Sequence, residues 1–142
     1  MSLNARADNP GDGQVKQALT EAKRIAVVGL SPKPERDSNM VARYLQAHGY
    51  EIIPVNPVLD QVLGVKAYPD LASIPGPVDM VDVFRRSEFV PPIAQQAQDI
   101  GAKVLWLQLG VIHGQAAAAA REAGLLVVQD ACLKVEHHRL LK

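Results

Sequence analysis

Five short apolar runs constrain the fold of this sequence more than any other feature. They are rich in Val, Ile and Leu, and they occupy residues 25–28, 52–55, 80–84, 104–107 and 125–128. Strands of a parallel sheet are covered on both faces, so their sequences are continuously apolar instead of alternating. The five runs therefore predict a parallel β-sheet, and Pro54 indicates a bulge or an edge position for the second strand.

Helical segments separate the apolar runs. Gly49, Gly101 and Gly124 each stand between the end of a helical pattern and the start of a run. Glycine at such a place supplies the left-handed conformation that ends a helix. These repeated units predict an α/β, Rossmann-like open parallel sheet of five strands, with helices on both faces in three α/β/α layers. For strands numbered along the chain, we expect the order 3-2-1-4-5.

The length of 142 residues fits one domain. We expect a single domain over residues 14–142, preceded by a flexible lead-in over residues 1–13, which are polar. Residues 56–78 are rich in proline and show no helical pattern, and residues 61–66 are expected to form a turn with a minor strand.

Composition excludes several classes of partner. Lys and Arg total 15 and Asp and Glu total 15, so no basic excess points to a nucleic acid. No apolar run reaches the roughly 18 residues that a membrane span needs. Cys132 is the only cysteine, which excludes an internal disulfide and fits a reducing compartment. We therefore expect a cytoplasmic protein, and a protein partner stays open.

The residues after each strand are the candidates for a ligand site, because open α/β sheets bind ligands beyond the carboxyl ends of their strands. After the first strand, Gly29 permits close approach to the backbone, and the next helix begins with free N–H groups. The same loop adds donors and positive charge through Ser31, Lys33, Arg36 and Ser38. This loop predicts a phosphate or diphosphate site. The alternative is a solvated loop whose serine only caps the helix. Ser38 or Asp37 is the expected cap of that helix.

The dinucleotide-binding pattern Gly-x-Gly-x-x-Gly is not met after the first strand. The second strand ends at Asn56, about where NAD-binding folds carry an acidic residue for the ribose. An uncharged Asn56 weakens the NAD interpretation and favours a nucleotide with a phosphate on its ribose. Arg85 and Arg86 are candidates for that phosphate, and the alternative is a pair of surface arginines near Glu88.

Five motifs at the strand ends carry a resemblance to a known family. They are Val28-Gly29-Leu30-Ser31, Val55-Asn56-Pro57, Val83-Phe84-Arg85, Trp106-Leu107-Gln108-Leu109-Gly110 and Asp130-Ala131-Cys132-Leu133-Lys134. From about residue 20 to the C-terminus, the chain resembles the single-domain CoA-binding family. That family is similar to the N-terminal CoA-binding domain of the succinyl-CoA synthetase alpha subunit.

The resemblance implies a Rossmann-like domain that holds CoA across its strand ends. All candidate CoA-binding residues follow a strand. Gly29, Ser31 and Lys33 would face the phosphates, with Leu30, Arg36 and Ser38 in the same loop, and Asn56 and Pro57 would lie beside the nucleotide. Phe84 and Arg85 would form the adjacent wall, Gln108 and Gly110 would lie near the pantetheine path, and Cys132 follows the fifth strand.

The chain also departs from the synthetase. The synthetase carries a phosphorylated histidine in a second domain, and neither His113 nor the pair His137-His138 matches its position. We therefore do not expect this chain to catalyse the ligase reaction of the synthetase. We expect it to bind CoA or acyl-CoA, with no assigned reaction. The alternative is a small NAD(P)- or CoA-dependent enzyme, or a redox regulator, that uses Cys132 or His113.

Two further groups of polar residues are expected to be structural. Glu136 and the histidines after it are adjacent on a predicted helix and point apart, so no metal site is expected. Asp79 and Asp82 bracket the third strand, and we expect them to cap an element or to face solvent.

Overall fold

The apolar runs form the central sheet in the computed structural model of the chain, which describes residues 5–141. The strands of this part are β1 (Arg24–Val28), β2 (Glu51–Val55), β3 (Gln61–Val62), β4 (Val65–Lys66), β5 (Met80–Val83), β6 (Val104–Leu107) and β7 (Leu126–Val128). The α-helices are α1 (Asp12–Glu21), α2 (Asp37–Ala47), α3 (Val90–Asp99), α4 (Gly114–Glu122) and α5 (Leu133–Leu141). None of these helices is long and apolar enough to cross a bilayer.

The five long strands are parallel and lie in the order β2-β1-β5-β6-β7, so the Rossmann-like open sheet is confirmed. The order 3-2-1-4-5 is wrong for the third long strand, because β5 pairs with β1 instead of lying beyond β2. The outer edge of β2 is bridged by Tyr68, whose amide donates to the Pro54 carbonyl and whose carbonyl accepts from Asn56, both at 2.9 Å. This bridge fills the place expected for the third strand, and β5 takes the other side of β1.

Helices cover both faces of the sheet, as predicted. Helices α3 and α4 pack on the face that carries Val28, Val83 and Leu107. Helices α1, α2 and α5 pack on the opposite face, which carries Val27 and Trp106. Burial of both apolar faces stabilises the sheet at roughly 25 cal/mol per Å² of apolar surface removed from water. The three layers hold every loop that follows a strand at one edge of the sheet.

The N-terminal segment packs against the end of β7. Asn9 donates from Nδ2 to the Gln129 carbonyl at 2.9 Å and accepts at Oδ1 from the Gln129 amide at 2.8 Å. A 3-10 turn over Ala5–Asp8 and the start of α1 at Asp12 occupy most of the expected lead-in. The described part of the lead-in is therefore built into the fold, and residues 1–4 lie outside the described residues.

Candidate functional site

The loops after the strands form a groove along the carboxyl edge of the sheet. It consists of three cavities of about 410, 330 and 240 Å³, which we call the Asn56 cleft, the α2 cleft and the Cys132 chamber. Gly29 lines both the Asn56 cleft and the α2 cleft. Phe84 and Asp37 line both the α2 cleft and the Cys132 chamber, so the three cavities adjoin one another. The predicted residues that line the groove are Gly29, Ser31, Arg36, Ser38, Asn56, Pro57, Phe84, Arg85, Gln108 and Cys132.

The Asn56 cleft lies where β1 and β2 end, against helix α3. The Asn56 side chain joins two loops, because its Nδ2 donates to the Leu30 carbonyl at 3.1 Å and its Oδ1 accepts from the Val58 amide at 3.0 Å. An aspartate at this position has no hydrogen to donate to the Leu30 carbonyl. The uncharged amide is therefore explained by local structure.

Arg85 and Arg86 follow β5 and have different surroundings. The Arg85 side chain lines the Asn56 cleft, and its guanidinium lies 4.6 Å from the centroid of the Phe89 ring. Arg86 lies 5.2 Å from the same centroid, and its Nε is 3.9 Å from Glu88 Oε1 at the exposed surface. Arg86 thus fits the surface alternative, and Arg85 is the arginine that faces the cleft.

Position 29 has no room for a side chain, because the backbone at the end of β5 lies too close. Gly29 has a φ of +88°, and a Cβ atom there would lie 2.6 Å from the Phe84 carbonyl oxygen. Its amide donates to the Val55 carbonyl at 3.0 Å, so that amide is engaged within the sheet. The tight fit between β1 and β5 thus accounts for the glycine, which sequence reasoning attributed to close approach by a ligand.

The α2 cleft lies over the start of helix α2. The prediction that Asp37 or Ser38 caps this helix is wrong, because Arg36 is the N-cap and no side chain accepts from the first turn. Instead, Ser38 Oγ accepts from the Ser31 amide at 3.0 Å, and Asn39 Nδ2 donates to the Ser31 carbonyl at 2.8 Å. These bonds fix the loop on the helix. The first residues of α2, Asp37 and Ser38, line the cleft, so the positive end of the helix dipole lies beside it.

The charges around the α2 cleft are mixed. Arg36 lines it, and so do the carboxylates of Glu35 and Asp37. An anion bound here would gain from the helix start and from Arg36, and it would be repelled by the two carboxylates. The backbone and one arginine therefore supply the attraction, within an otherwise balanced set of charges.

A buried polar pair lies beside the Cys132 chamber. Gln108 lines the chamber and donates from Nε2 to Asp82 Oδ1 at 2.8 Å, and Asp82 is fully buried. Burial raises the pKa of Asp82 to about 7, and the hydrogen bond from Gln108 opposes that rise. The expectation that Asp82 caps or faces solvent is wrong. The signal for this residue in the sequence is a carboxylate inside an otherwise apolar run.

Three predicted residues do not present a side chain to the groove. Leu30 is fully buried in the core and offers only its carbonyl, which Asn56 uses. Lys33 is exposed and is not among the residues that line the three cavities. The Gly110 amide donates to Asp130 Oδ1 at 2.8 Å, which ties together the loops after β6 and β7. Leu30 and Gly110 thus make structural contacts at the edge of the sheet, and a role of Lys33 in ligand binding stays a prediction.

His113 and Cys132 have separate surroundings. His113 caps helix α4, with its Nδ1 accepting from the Ala116 amide at 3.1 Å. Cys132 lies beside α5, where its carbonyl accepts from the Glu136 amide, and it is partly exposed in its chamber. Capping explains His113 without chemistry, and the two candidates for a reactive group do not share a site.

One of the two C-terminal histidines, His137, belongs to an aromatic cluster. His137 is buried and its Nδ1 lies 2.9 Å from Tyr44 Oη, with Tyr50 and His48 also packed against its ring. Burial lowers the pKa of His137, and the nearby His48 and His138 lower it further. Within residues 5–141, no three His, Cys, Asp or Glu side chains are placed to hold a metal ion together. The cluster joins α2 to α5.

Some relatives match this chain over nearly their whole length, and others match it over only a part of theirs. The uncharacterized protein YneT of Bacillus subtilis (strain 168) is 48% identical over 129 residues, which cover 91% of this chain and 96% of that protein. ADP-forming acetate–CoA ligase I subunit alpha of Pyrococcus furiosus is 32% identical over 95 residues, which cover 63% of this chain and 21% of that subunit. The chain thus matches about a fifth of the ligase subunit.

The fold and the family agree with the resemblance seen in the five motifs. A solved structure of a hypothetical protein from Pyrococcus horikoshii OT3 has a TM-score of 0.93 and 42% identity, with 100% of both chains covered. A family model described as a CoA binding domain matches residues 23–138. Because this match spans most of the chain and includes every strand, the chain belongs to the CoA binding domain family.

Proposed function

We propose that this chain binds coenzyme A, or an acyl thioester of it, in the groove along the carboxyl edge of the sheet. Family membership supports the class of ligand, and the three adjoining cavities support a long ligand with chemically different parts. The observation that carries the proposal is the start of α2, which lies in the middle of the groove and has no side-chain cap bond. CoA carries its diphosphate between a nucleotide and a long arm, and a helix start supplies N–H donors for such a group.

The adenine nucleotide of CoA is assigned to the Asn56 cleft. This cleft has a volume of about 410 Å³ and is open beside Pro57, whose ring offers an apolar surface for a base. Arg85 lines the same cleft and is exposed, so its guanidinium is available for the phosphate on the ribose. A guanidinium matches a phosphate through two parallel N–H donors.

The diphosphate is assigned to the α2 cleft. The first turn of α2 and Arg36 attract it, while Glu35 and Asp37 reduce the attraction. The bond from the Ser31 amide to Ser38 Oγ holds the loop in place before a ligand arrives, which lowers the entropy lost on binding. Because attraction and repulsion act together here, we expect affinity for CoA in the micromolar range.

The pantetheine arm is assigned to a path across Phe84 into the Cys132 chamber. Phe84 lines both the α2 cleft and this chamber, and Gln108 lies further in. Gln108 gives its Nε2 to Asp82, so its carbonyl oxygen is the group left for an amide N–H of the arm. The end of the arm then lies near Cys132.

The proposal is limited to binding. The ligase named among the relatives is about five times longer than the matched part, so its reaction belongs to that protein. His113 serves as a helix cap, which removes the support for it as a reactive group. We propose that any chemistry on the bound CoA is supplied by a protein partner.

Calorimetric titration of the whole chain with CoA, dephospho-CoA, NAD and NADP in parallel tests the proposal. We expect micromolar binding of CoA and no comparable binding of NAD or NADP. Arg36→Ala should weaken CoA binding several-fold, whereas Lys103→Ala, which removes a positive charge at the opposite edge of the sheet, should not. Preference for NAD or NADP, or no binding of CoA, would overturn the proposal.

A further inference from the structure

Exposed apolar side chains concentrate around the Cys132 chamber. The large apolar side chains that stay exposed within residues 5–141 are Met40, Val58, Leu109 and Val135. Met40 on α2, Leu109 after β6 and Val135 on α5 are 38%, 57% and 55% exposed, and all three line the chamber. Exposed apolar surface collected in one concave place marks a binding site, whereas scattered single residues do not.

The chamber is continuous with the proposed CoA groove. Asp37 and Phe84 line both the chamber and the α2 cleft, where the diphosphate is assigned. A ligand arm that leaves the start of α2 and crosses Phe84 therefore enters the chamber. There it reaches Met40, Leu109 and Val135, which we call the apolar rim. Gln108, only 4% exposed, offers a polar contact within the chamber. An apolar rim above one buried amide suits a chain that carries a carbonyl or amide and ends in an alkyl group.

We infer that the Cys132 chamber takes an apolar acyl group, so that short-chain acyl-CoA thioesters, and not free CoA, are the preferred ligands of this chain. This inference rests on the proposed function and names the substrate class of the same site. Met40, Leu109 and Val135 lie on three separate elements, and an alkyl chain between them would remove apolar surface from water on three sides.

The space that the end of the pantetheine arm leaves free in the chamber sets the length of the acyl group. Its volume is about 240 Å³, which is smaller than the roughly 300–1,000 Å³ of pockets that hold drug-sized ligands. Each buried methylene should strengthen binding about fourfold. We expect this gain to continue over a few methylenes and to stop when the alkyl chain extends beyond the rim into water.

Titration of the whole chain with CoA, acetyl-CoA, butyryl-CoA, hexanoyl-CoA and decanoyl-CoA tests the inference. The expected result is a dissociation constant that falls stepwise from CoA to butyryl-CoA or hexanoyl-CoA and then levels off. Equal dissociation constants for CoA and all its thioesters would overturn the inference and leave the proposed function intact. If no ligand of this series binds, the proposed function fails together with the inference.

A matched pair of variants tests the location of the acyl group. Val135→Ser and Val58→Ser make the same change at exposed positions, one at the chamber rim and one outside it. The readout is the ratio of the dissociation constants of CoA and hexanoyl-CoA. Val135→Ser should reduce this ratio several-fold and Val58→Ser should not, and equal effects of the two variants would contradict the inference.

A second copy of the chain is the competing occupant of the apolar rim. Sedimentation of the chain without ligand distinguishes the two. The inference expects one sedimenting species whose size is the same for the unmodified chain and for Val135→Ser. A dimer that Val135→Ser dissociates and Val58→Ser does not would show that the rim is a contact between copies, which would overturn the acyl assignment.

Discussion

Gln108 donates its Nε2 hydrogen to Asp82 Oδ1 at 2.8 Å, and both side chains are buried within the sheet. The other carboxylate oxygen of Asp82 has no hydrogen-bond partner. A buried polar group without a partner is costly, so this pair lowers the stability of the fold at the place where the Cys132 chamber meets the sheet. It also fixes which end of the Gln108 amide faces the chamber.

The pair should give the chain a stability that depends on pH. Burial raises the pKa of Asp82 from its ordinary value of 3.8 to about 7. Between these values the folded chain holds a proton that the unfolded chain releases, so the free energy of unfolding falls as the pH rises through this window. For the whole rise of the Asp82 pKa, this fall in the free energy of unfolding amounts to about 4 kcal/mol. Asp82→Asn cannot ionise and should remove this slope, as measured by urea unfolding at a series of pH values.

Asp79→Asn is the control for the sign of this effect. Burial opposes ionisation of Asp79, but the amides of Arg24 and Lys23 donate to it, and its pKa is lowered overall. Its contribution to stability is present above the unfolded pKa and is lost as the pH falls through the folded pKa. Asp79→Asn should therefore destabilise the chain at neutral pH. A pH slope for Asp82→Asn as steep as that of the unmodified chain would assign the slope to other groups.

Gly29→Ala should destabilise the chain in the absence of ligand. The added Cβ would lie 2.6 Å from the Phe84 carbonyl oxygen, in a backbone conformation that side chains rarely adopt. Gly49→Ala is the matched control, because Gly49 has a φ of +93° and nothing lies within 4 Å of its added Cβ. Gly49→Ala should cost about 1–2 kcal/mol from conformation alone, and Gly29→Ala distinctly more. Equal losses in thermal unfolding would mean that β5 moves away freely.

Arg85→Ala should weaken the binding of CoA about tenfold and leave dephospho-CoA nearly unaffected, because a charge-assisted contact to the ribose phosphate contributes roughly 1.5–3 kcal/mol before solvent screening. Arg86→Ala is the control, since Arg86 also packs on Phe89 but lies outside the Asn56 cleft. Calorimetric titration of both variants with both ligands provides the comparison. A loss for CoA and dephospho-CoA alike would place Arg85 away from the ribose phosphate.

Asp37→Asn should change binding and stability in opposite directions. Removal of the carboxylate beside the start of α2 should tighten CoA binding several-fold, because it no longer repels the diphosphate. The same change should cost about 0.3–1 kcal/mol of stability, since a negative charge at a helix N-terminus is favourable. Asp99→Asn alters the net charge equally at the end of α3. If Asp99→Asn tightens CoA binding as much as Asp37→Asn, the effect is one of overall charge.

Most of the architecture could be predicted because it depends on local patterns. The apolar runs identify the strands, and the glycines at 49, 101 and 124 each have the positive φ that closes a helix before a strand. Parallel strands joined by helices bring all following loops to one edge, so most of the candidate residues from Gly29 to Cys132 lie along one groove, and their part in ligand binding stays a prediction. The strand order could not be derived in this way, because strand pairing, like the bridge between Tyr68 and β2, involves backbone groups that carry no sequence pattern.

The α/β class, the positions of the strands and the edge of the sheet where the candidate residues lie can all be derived from the sequence, since they follow from hydrophobic periodicity and helix-ending glycines. Three features depend instead on the packing of the folded chain. A side chain at position 29 would clash with the Phe84 carbonyl, Asp82 is buried with Gln108, and three exposed apolar side chains line one chamber. Each of these is a contact between segments far apart in the chain. Such contacts arise from the packing of whole elements, and a local pattern of residues carries no information about which element will lie opposite.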